Sequence, residues 1–193
     1  MCVIIIKHAG KNMPSRSDLY AAYRRNHDGC GFASETSHYK NLNFEDFYNH
    51  LKNVPKEENC IIHFRLATHG SVRKENCHPF HDRLTDTWFM HNGILSVTPF
   101  KGKTDSETAF RTLLAPVIKK YGLYSRELQA AANSIIGSSK FAFLQNGNIK
   151  LFGKFYEYKG CYYSNLYHID YFGYDFLSGY SRFKGFRMKA SAS

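Results

Sequence analysis

Residues 2–6 read Cys2-Val3-Ile4-Ile5-Ile6, an apolar run directly behind the initiator methionine. A short, uninterrupted run of β-branched residues predicts a strand that is buried on both faces. The run is much shorter than the ~20 apolar residues that cross a bilayer, and it lacks the basic start of a signal peptide. We therefore expect a cytoplasmic protein with no membrane partner, whose buried first strand begins at Cys2.

Outward from this strand, the apolar spacing alternates between the helical and the strand period. Helices are predicted over residues 17–25, from Asn43 to residue 51, from Thr104 onward with Pro116 as a kink or break, and over 126–136. Strands are predicted after the turn at 28–31 and at 60–67, 87–91, 141–144, 149–152 and 161–164, with Asn146-Gly147 as a hairpin turn. Strands at both ends around a helical middle predict a layered α+β fold.

Length and composition fit one globular domain. The 193 residues are 43% hydrophobic, enough to bury a core, and we expect a single domain over 1–193. Its aromatic-rich part, 154–193, has no role that the pattern defines. The cysteine count is odd, which favours reduced thiols over a disulfide framework. A net charge of +10 is typical of proteins with an acidic neighbour, either nucleic acid or an anionic protein surface.

Cys2 has an unusual place, because removal of Met1 would leave its thiol beside a free α-amino group. That amine has a reference pKa of ~7.7–8.0, so near neutral pH a useful fraction can accept a proton. Nucleophile and base then belong to one residue, as in enzymes that use an N-terminal threonine. Position 2 alone is a weak signal, and the remaining motifs decide how it is interpreted.

Five segments, in order behind Cys2, resemble motifs of class II glutamine amidotransferases. The most specific is His63-Phe64-Arg65-Leu66-Ala67-Thr68-His69-Gly70, which is similar to the family's His-x-Arg-x-Ala-Thr-His-Gly. The others are Arg25-Asn26-His27-Asp28-Gly29-Cys30-Gly31, Asn76-Cys77-His78-Pro79-Phe80, His91-Asn92-Gly93 and Thr104-Asp105-Ser106-Glu107. The resemblance covers residues 2–165 and is closest to the compact form without a synthetase domain. Asn26 and Leu66 depart from the family's usual glycine and tryptophan.

The resemblance implies a four-layer αββα sandwich of the N-terminal-nucleophile hydrolase type, with Cys2 opening a central strand. It implies that Cys2 attacks the amide of glutamine, and that the Asn92 side chain and the Gly93 N–H form the oxyanion hole. The implied ligands of the substrate's α-carboxylate and α-ammonium are Arg65, Thr68, His69 and Asp105. An arginine fork and a carboxylate suit a zwitterionic amino acid.

Further implications concern the surroundings of this pocket. Arg25, Asp28 and His78 are expected behind it, supporting the residues that touch substrate, and residues 71–80 are expected to close over glutamine. No cofactor or metal is expected. Because the chain ends about where such a domain should end, the ammonia would pass to a separate synthetase or be released.

Three alternatives stay open at this point. One is hydrolysis of another γ-glutamyl amide, because Arg65 and Asp105 would recognise only the γ-glutamyl part. The second is a nucleic-acid-binding protein, based on the charge and the Tyr- and Phe-rich tail. The third is a zinc site, because Cys60-x-x-His63 and Cys77-His78-x-x-His81 have ligand-like spacing. Alternation along a strand over 60–67 argues against zinc, because it turns Cys60 and His63 to opposite faces.

Overall fold

The computed structural model describes residues 2–67 and 71–169, which form two antiparallel sheets and the helices that cover them. The strands are β1 Val3–Lys7, β2 Cys30–Ser34, β3 His38–Asn41, β4 Cys60–Phe64, β5 Phe80–Asp82, β6 Thr87–Asn92, β7 Lys140–Gln145, β8 Asn148–Phe152, β9 Tyr156–Tyr158 and β10 Cys161–Tyr163. The first sheet has the strand order β3-β2-β4-β1-β10-β9 and the second the order β5-β6-β7-β8.

Strand β1 lies inside the first sheet, and its position places Cys2. It pairs with β4 on one side, with Val3 opposite Phe64, and with β10 on the other, with Ile5 opposite Tyr163. Its four apolar residues, Val3 to Ile6, are buried as the apolar run predicts, and Lys7, which lies beyond that run, is buried as well. Cys2, one residue before β1, therefore lies beside the chain that leaves β4 after Phe64.

In the described ranges, five α-helices cover the outer faces of the sheets. They are α1 Arg16–Arg25, α2 Phe44–Leu51, α3 Asp105–Ala109, α4 Ala115–Tyr121 and α5 Arg126–Ile136. A π-helical turn, Phe110–Leu114, joins α3 to α4, and Pro116 lies in the first turn of α4, directly after this change of helix type. Side chains of Ser15, Asn43, Thr104 and Ser125 accept backbone hydrogen bonds at the starts of α1, α2, α3 and α5.

Three apolar clusters fill the spaces between four layers. The first lies between α1, α2 and the first sheet, and the second between the second sheet and the helices from α3 to α5. The third lies between the two sheets and contains Ile4, Ile6, Ala33, Ile61, Met90, Ala142, Leu144 and Phe155. This confirms the four-layer αββα sandwich.

The structure changes two details of the predicted elements. The strand predicted over 60–67 ends at Phe64. Beyond it, Arg65 exchanges backbone hydrogen bonds with the turn before β2, because its N–H donates to the Gly29 carbonyl and its carbonyl accepts from Asp28. Strands β3, β5 and β9 were not predicted, since they are short and carry polar or half-buried residues. In the described part of the chain, no helix is long and apolar enough to cross a membrane.

Candidate active site

The Cys2 thiol is held where the two strand ends meet. Its sulfur accepts a hydrogen bond from the Leu66 N–H at 3.3 Å, and the Cys2 carbonyl accepts one from the Asn165 side-chain amide at 2.8 Å. Burial raises the pKa of the thiol above its ordinary value, while the Leu66 hydrogen bond and the charge of Arg65 act in the opposite direction. Cys2 therefore needs a nearby proton acceptor to become a thiolate near neutral pH.

A cavity with about 370 Å³ of empty space, part of it open to solvent, lies over Cys2. It collects residues from distant parts of the sequence. Its lining comprises Cys2, Arg65, Leu66, Ala67, Asn76, His78, His91, Gly93, Thr104, Asp105 and Ser106.

Arg65 brings a positive charge to this cavity from the turn that follows β4. Its side chain is almost fully buried, and one terminal nitrogen, Nη1, donates to the Ser71 carbonyl at 3.3 Å. Asp28 lies behind it, and its carboxylate accepts from the Ala67 N–H at 2.8 Å. The turn before β2 thus fixes the backbone on both sides of Leu66, the residue whose N–H contacts the thiol.

Asp105 brings the negative charge, at the first residue of α3. One carboxylate oxygen accepts from the Leu95 N–H at 2.9 Å and the other from the Ser106 N–H at 2.8 Å. The Ser106 hydroxyl also donates to Asp105 and contacts Nδ1 of His91 at 2.7 Å. A carboxylate at a helix N-terminus is electrostatically favoured, and these contacts fix its orientation.

Asn92 and Gly93 lie where β6 ends. The Asn92 side chain is buried, its Nδ2 donates to the Ser164 hydroxyl at 2.8 Å, and its Oδ1 has no hydrogen-bond partner among residues 2–67 and 71–169. Gly93 lines the cavity with φ of 144°, and a Cβ there would lie 2.1 Å from the Ser139 hydroxyl oxygen. A side chain at this position would clash with Ser139, so the conformation of the backbone here requires glycine.

Three buried histidines lie beneath the cavity: His63, His78 and His91. Burial lowers the pKa of His63 to about 3 and that of His91 to about 4, and it lowers the pKa of His78 well below its ordinary value. Nε2 of His63 must donate to the His91 carbonyl, 3.1 Å away, because a carbonyl only accepts. All three rings are thus neutral near pH 7, and they are weak proton acceptors.

The structure brings most of the predicted residues together. Cys2, Arg65, Gly93, Asp105 and His78 line one cavity, whereas the side chain of Asn92 is not among the lining residues and contacts Ser164. Asp28 supports the backbone below them. Arg25 ends α1 with an exposed side chain and is not among the described residues that line the cavity, so its supporting role stays a prediction. Thr68 and His69 lie outside the described residues.

The sequence interpretation did not single out several residues that contact this site. Ser106 and Asn76 lie inside motifs that resemble those of the family, so these motifs could have identified both residues as part of the site. The Asn76 side chain donates to the Ser71 carbonyl at 3.0 Å, so it holds the start of the segment after residue 70. Ser164 lies 160 residues from Ile4 and Asn165 lies 163 residues from Cys2, the residues that they contact, and no spacing in the sequence indicates these contacts.

The zinc alternative finds no support in the geometry. Cys60 packs with the cluster that faces α1 and α2, whereas His63 contacts the carbonyl of His91 in the second sheet. The two side chains therefore point to opposite faces of β4, as strand alternation predicts. Over the ranges 2–67 and 71–169, no three His, Cys, Asp or Glu side chains are grouped so that they could hold a metal ion.

Comparison with known proteins connects this geometry to one family. The family model described as class-II glutamine amidotransferases matches residues 50–152, just over half of the chain. A putative glutamine–fructose-6-phosphate aminotransferase of Saccharomyces cerevisiae is 32% identical over 93 residues, which cover 40% of this chain and 30% of that protein. The Methanocaldococcus jannaschii glutamine–fructose-6-phosphate aminotransferase is 31% identical over 116 residues, covering 53% of this chain and 10% of that protein.

Solved structures show the same fold at lower identity. The glutamine phosphoribosylpyrophosphate amidotransferase of B. subtilis superposes with a TM-score of 0.60 at 19% identity, over 88% of this chain and 43% of that one. A second structure, of an allosteric regulatory enzyme of purine biosynthesis, gives 0.60 at 17% identity. The chain spans less than half the length of each relative named here. The descriptions of these matches give no support to nucleic-acid binding.

Proposed function

Because this chain belongs to the class II glutamine amidotransferases, we propose that Cys2, once Met1 is removed, hydrolyses the side-chain amide of glutamine and releases ammonia. The observation that carries this proposal is the cavity in which Cys2, Arg65, Gly93 and Asp105 meet. It joins a nucleophile, a cation, a backbone donor and an anion, which are the four groups that attack on a zwitterionic amide requires.

Substrate binding follows from the two charges. The Arg65 guanidinium is a planar fork of donors that suits the α-carboxylate of glutamine, and Asp105 accepts hydrogen bonds from the α-ammonium. Both side chains are already oriented by backbone contacts, so little side-chain entropy is lost when substrate binds. Thr68 and His69, which follow in the same motif, complete the carboxylate site in this proposal.

The chemistry begins with proton transfer from the Cys2 thiol to its own α-amino group. The sulfur then attacks the amide carbon, and the negative charge that develops on the oxygen is stabilised by Asn92 and the Gly93 N–H. The α-ammonium group returns its proton to the amide nitrogen as the carbon–nitrogen bond breaks, so ammonia leaves, the amine is free again and a γ-glutamyl thioester remains on Cys2. Water adds to that thioester with the same amine as base, which yields glutamate and the free thiol.

The α-amino group is a better base here than the nearby imidazoles. With pKa values of about 3 and 4, His63 and His91 are poor proton acceptors at pH 7. The sulfur accepts from the Leu66 N–H, a donor that stabilises a thiolate, and as a thiol it can also donate to the Leu66 carbonyl at 3.5 Å, but a carbonyl does not remove its proton. An amine near pKa ~7.7–8.0 matches the operating pH much more closely.

Residues 71–80 fit the role of a segment that closes over substrate. Ser71 accepts hydrogen bonds from both Arg65 and Asn76, so the side chain proposed to bind the α-carboxylate also contacts the start of this segment. At its far end, Lys40 donates to the Cys77 carbonyl at 2.9 Å. Closure would exclude water and retain ammonia until an acceptor is reached.

The partner and location extend the same proposal. Ammonia would be consumed by a separate acceptor-binding synthetase, whose acidic surface would complement the net charge of +10. Other γ-glutamyl amides share the part of glutamine that Arg65 and Asp105 would bind, so they are candidate substrates of the same site.

A cytoplasmic location would keep the Cys2 thiol reduced. In this proposal residues 1–193 act as one amidotransferase domain.

The test is a glutaminase assay on protein whose loss of Met1 has been checked by intact mass. Wild type is expected to form glutamate and ammonia in equal amounts, and Cys2→Ala is expected to be inactive while it still folds. Cys60→Ala is the matched control, because Cys60 is a buried thiol of the same sheet outside the cavity. Equal glutamate formation by wild type and Cys2→Ala would refute the mechanism. Running γ-glutamyl anilide beside glutamine tests the wider substrate class.

A further inference from the structure

From the contacts at the end of β10, we infer that Ser164 is a positioning residue for the oxyanion hole, acting through the Asn92 carboxamide. The inference rests on the proposed function, because an oxyanion forms only if Cys2 attacks an amide. Ser164 is fully buried and does not line the cavity, so its effect would be exerted on Asn92 and not on substrate.

The position of Ser164 is set by an interruption of the sheet. The β1–β10 ladder continues to this residue, since the Ser164 N–H donates to the Ile4 carbonyl at 2.9 Å. In a regular antiparallel pair the Ile4 N–H would return a bond to the Ser164 carbonyl. Here it donates to the Ser164 hydroxyl oxygen instead, at 2.8 Å. The side chain is thus fixed by the backbone of the strand that follows Cys2.

The same hydroxyl reaches across to the second sheet. It contacts the Asn92 carboxamide at 2.8 Å, while the other end of that carboxamide, Oδ1, has no hydrogen-bond partner in the described part of the chain. A hydroxyl both donates and accepts, so it can hold either end of a carboxamide. In the structure the hydroxyl accepts from Nδ2. If the carboxamide turns end for end, the hydroxyl donates to Oδ1 instead, and both hydrogens of Nδ2 are left for the oxygen of the reacting amide.

Asn165, the next residue, acts on the nucleophile. Its side-chain amide donates to the Cys2 carbonyl at 2.8 Å, at the point where a further backbone N–H would otherwise extend the ladder. Two consecutive side chains therefore connect Cys2 with Asn92, although these residues belong to different sheets. The Ser164–Asn165 pair sets the distance between the attacking sulfur and the donor that stabilises the developing charge.

This arrangement predicts a specific kinetic signature. Asn92 donates to a charge that exists only during reaction, so a change in its orientation should lower kcat and leave KM for glutamine nearly unchanged. Loss of a complete oxyanion donor costs about 10²–10³ in rate, and misplacement of a donor should cost less, about 10–100-fold. Simple alkylation of Cys2 by iodoacetamide forms no oxyanion and should proceed at the wild-type rate.

The experiment measures kcat, KM and Cys2 alkylation for Ser164→Ala and Ser164→Thr, with Met1 removed. Ser164→Ala is expected to lose kcat alone, and Ser164→Thr, which keeps the hydroxyl, is expected to recover most of it. Thr87→Val is the matched control. It removes a buried hydroxyl at the opposite end of β6, where Thr87 contacts Thr85 and Gln145. If Ser164→Ala does not fold, Ser164→Cys replaces it, with the same loss expected.

A double-mutant cycle tests whether Ser164 acts through Asn92. In an Asn92→Ala background, Ser164→Ala should produce no further loss of kcat, whereas independent effects would multiply. A multiplied loss, a raised KM, slowed alkylation or unchanged kcat in Ser164→Ala would each overturn the inference. These outcomes are distinct from failure of the proposed function, in which the wild-type enzyme itself would form no glutamate.

Discussion

At the scale of single residues, the two charged groups of the cavity also have structural contacts. A carboxylate offers about four acceptor positions, and Asp105 uses some of them for the N–H groups of Leu95 and Ser106. The remaining positions are available to an ammonium group. The backbone contacts therefore orient the carboxylate without consuming its capacity to bind, and the binding role depends on the charge more than on the shape of the side chain.

Replacement of Asp105 by Asn should separate charge from shape. Asp105→Asn keeps the size of the side chain and one acceptor oxygen, and it removes the negative charge that faces the substrate ammonium. A hydrogen bond to a charged group contributes about 1.5–3 kcal/mol, so KM for glutamine should rise by roughly 10–100-fold with a smaller change in kcat. Steady-state kinetics would check this. Asp86→Asn, the same substitution at an exposed residue paired with His81, should leave KM unchanged, and an unchanged KM in Asp105→Asn would contradict the role.

At the scale of elements, the position of Asp105 depends on how α3 begins. The Thr104 hydroxyl accepts from the Glu107 N–H at 3.1 Å, and this contact fixes the first turn from which Asp105 and Ser106 project. α5 begins in the same way, with the Ser125 hydroxyl accepting from Leu128 at 3.1 Å, on a helix outside the cavity. The two N-caps have the same chemistry, but only α3 contains a residue proposed to bind substrate, Asp105.

These caps provide a matched pair of variants. Thr104→Ala and Ser125→Ala should each lower the free energy of unfolding by about 1 kcal/mol, since each removes one N-cap hydrogen bond. Only Thr104→Ala should raise KM for glutamine, by a few-fold, because only α3 positions Asp105. Urea unfolding and steady-state kinetics on both variants would test this. A similar KM change in both would show that the effect is one of general stability.

The same elements show what the sequence could predict. Long periodic segments and capped starts were predictable: α5 covers 126–136 as expected, and Asn146-Gly147 forms the turn between β7 and β8 with positive φ at both residues. The end of β4 was not predictable from the sequence, because the backbone contacts of Arg65 with Gly29 and Asp28 replace the regular strand pairing after Phe64. Short polar strands such as β3 depend on a neighbouring strand and not on their own composition, so periodicity does not reveal them.

At the scale of the whole molecule, the site forms where the ends of two sheets meet. Cys2 precedes a strand of the first sheet, Asn92 ends a strand of the second, and Ser164 joins them from the last part of the described chain. Motif resemblance identified residues that line the cavity, such as Arg65, Gly93 and Asp105. Residues that position them, such as Ser164 and Asn165, act through long-range pairing, so only the assembled fold reveals them.

The buried histidines of this interior predict how global stability depends on pH. Burial lowers the pKa of His63 to about 3 and those of His91 and His168 to about 4, while in the unfolded chain histidine titrates near ~6.5. Below pH ~6.5 the unfolded state therefore binds more protons, and the free energy of unfolding should fall as the pH is lowered from ~6.5 towards 4. Above ~6.5 these groups should contribute no pH dependence.

His168 allows this expectation to be tested away from the cavity. It is buried beside the Tyr163 ring, and neither of its ring nitrogens has a hydrogen-bond partner within the described ranges, so His168→Leu removes a titrating group without breaking a described hydrogen bond. Each such histidine contributes up to about 1.4 kcal/mol per pH unit between its two pKa values. Urea unfolding at pH 7, 6 and 5 should therefore show a shallower decline for His168→Leu than for wild type. Parallel declines would mean that His168 becomes protonated in the folded protein as readily as in the unfolded chain.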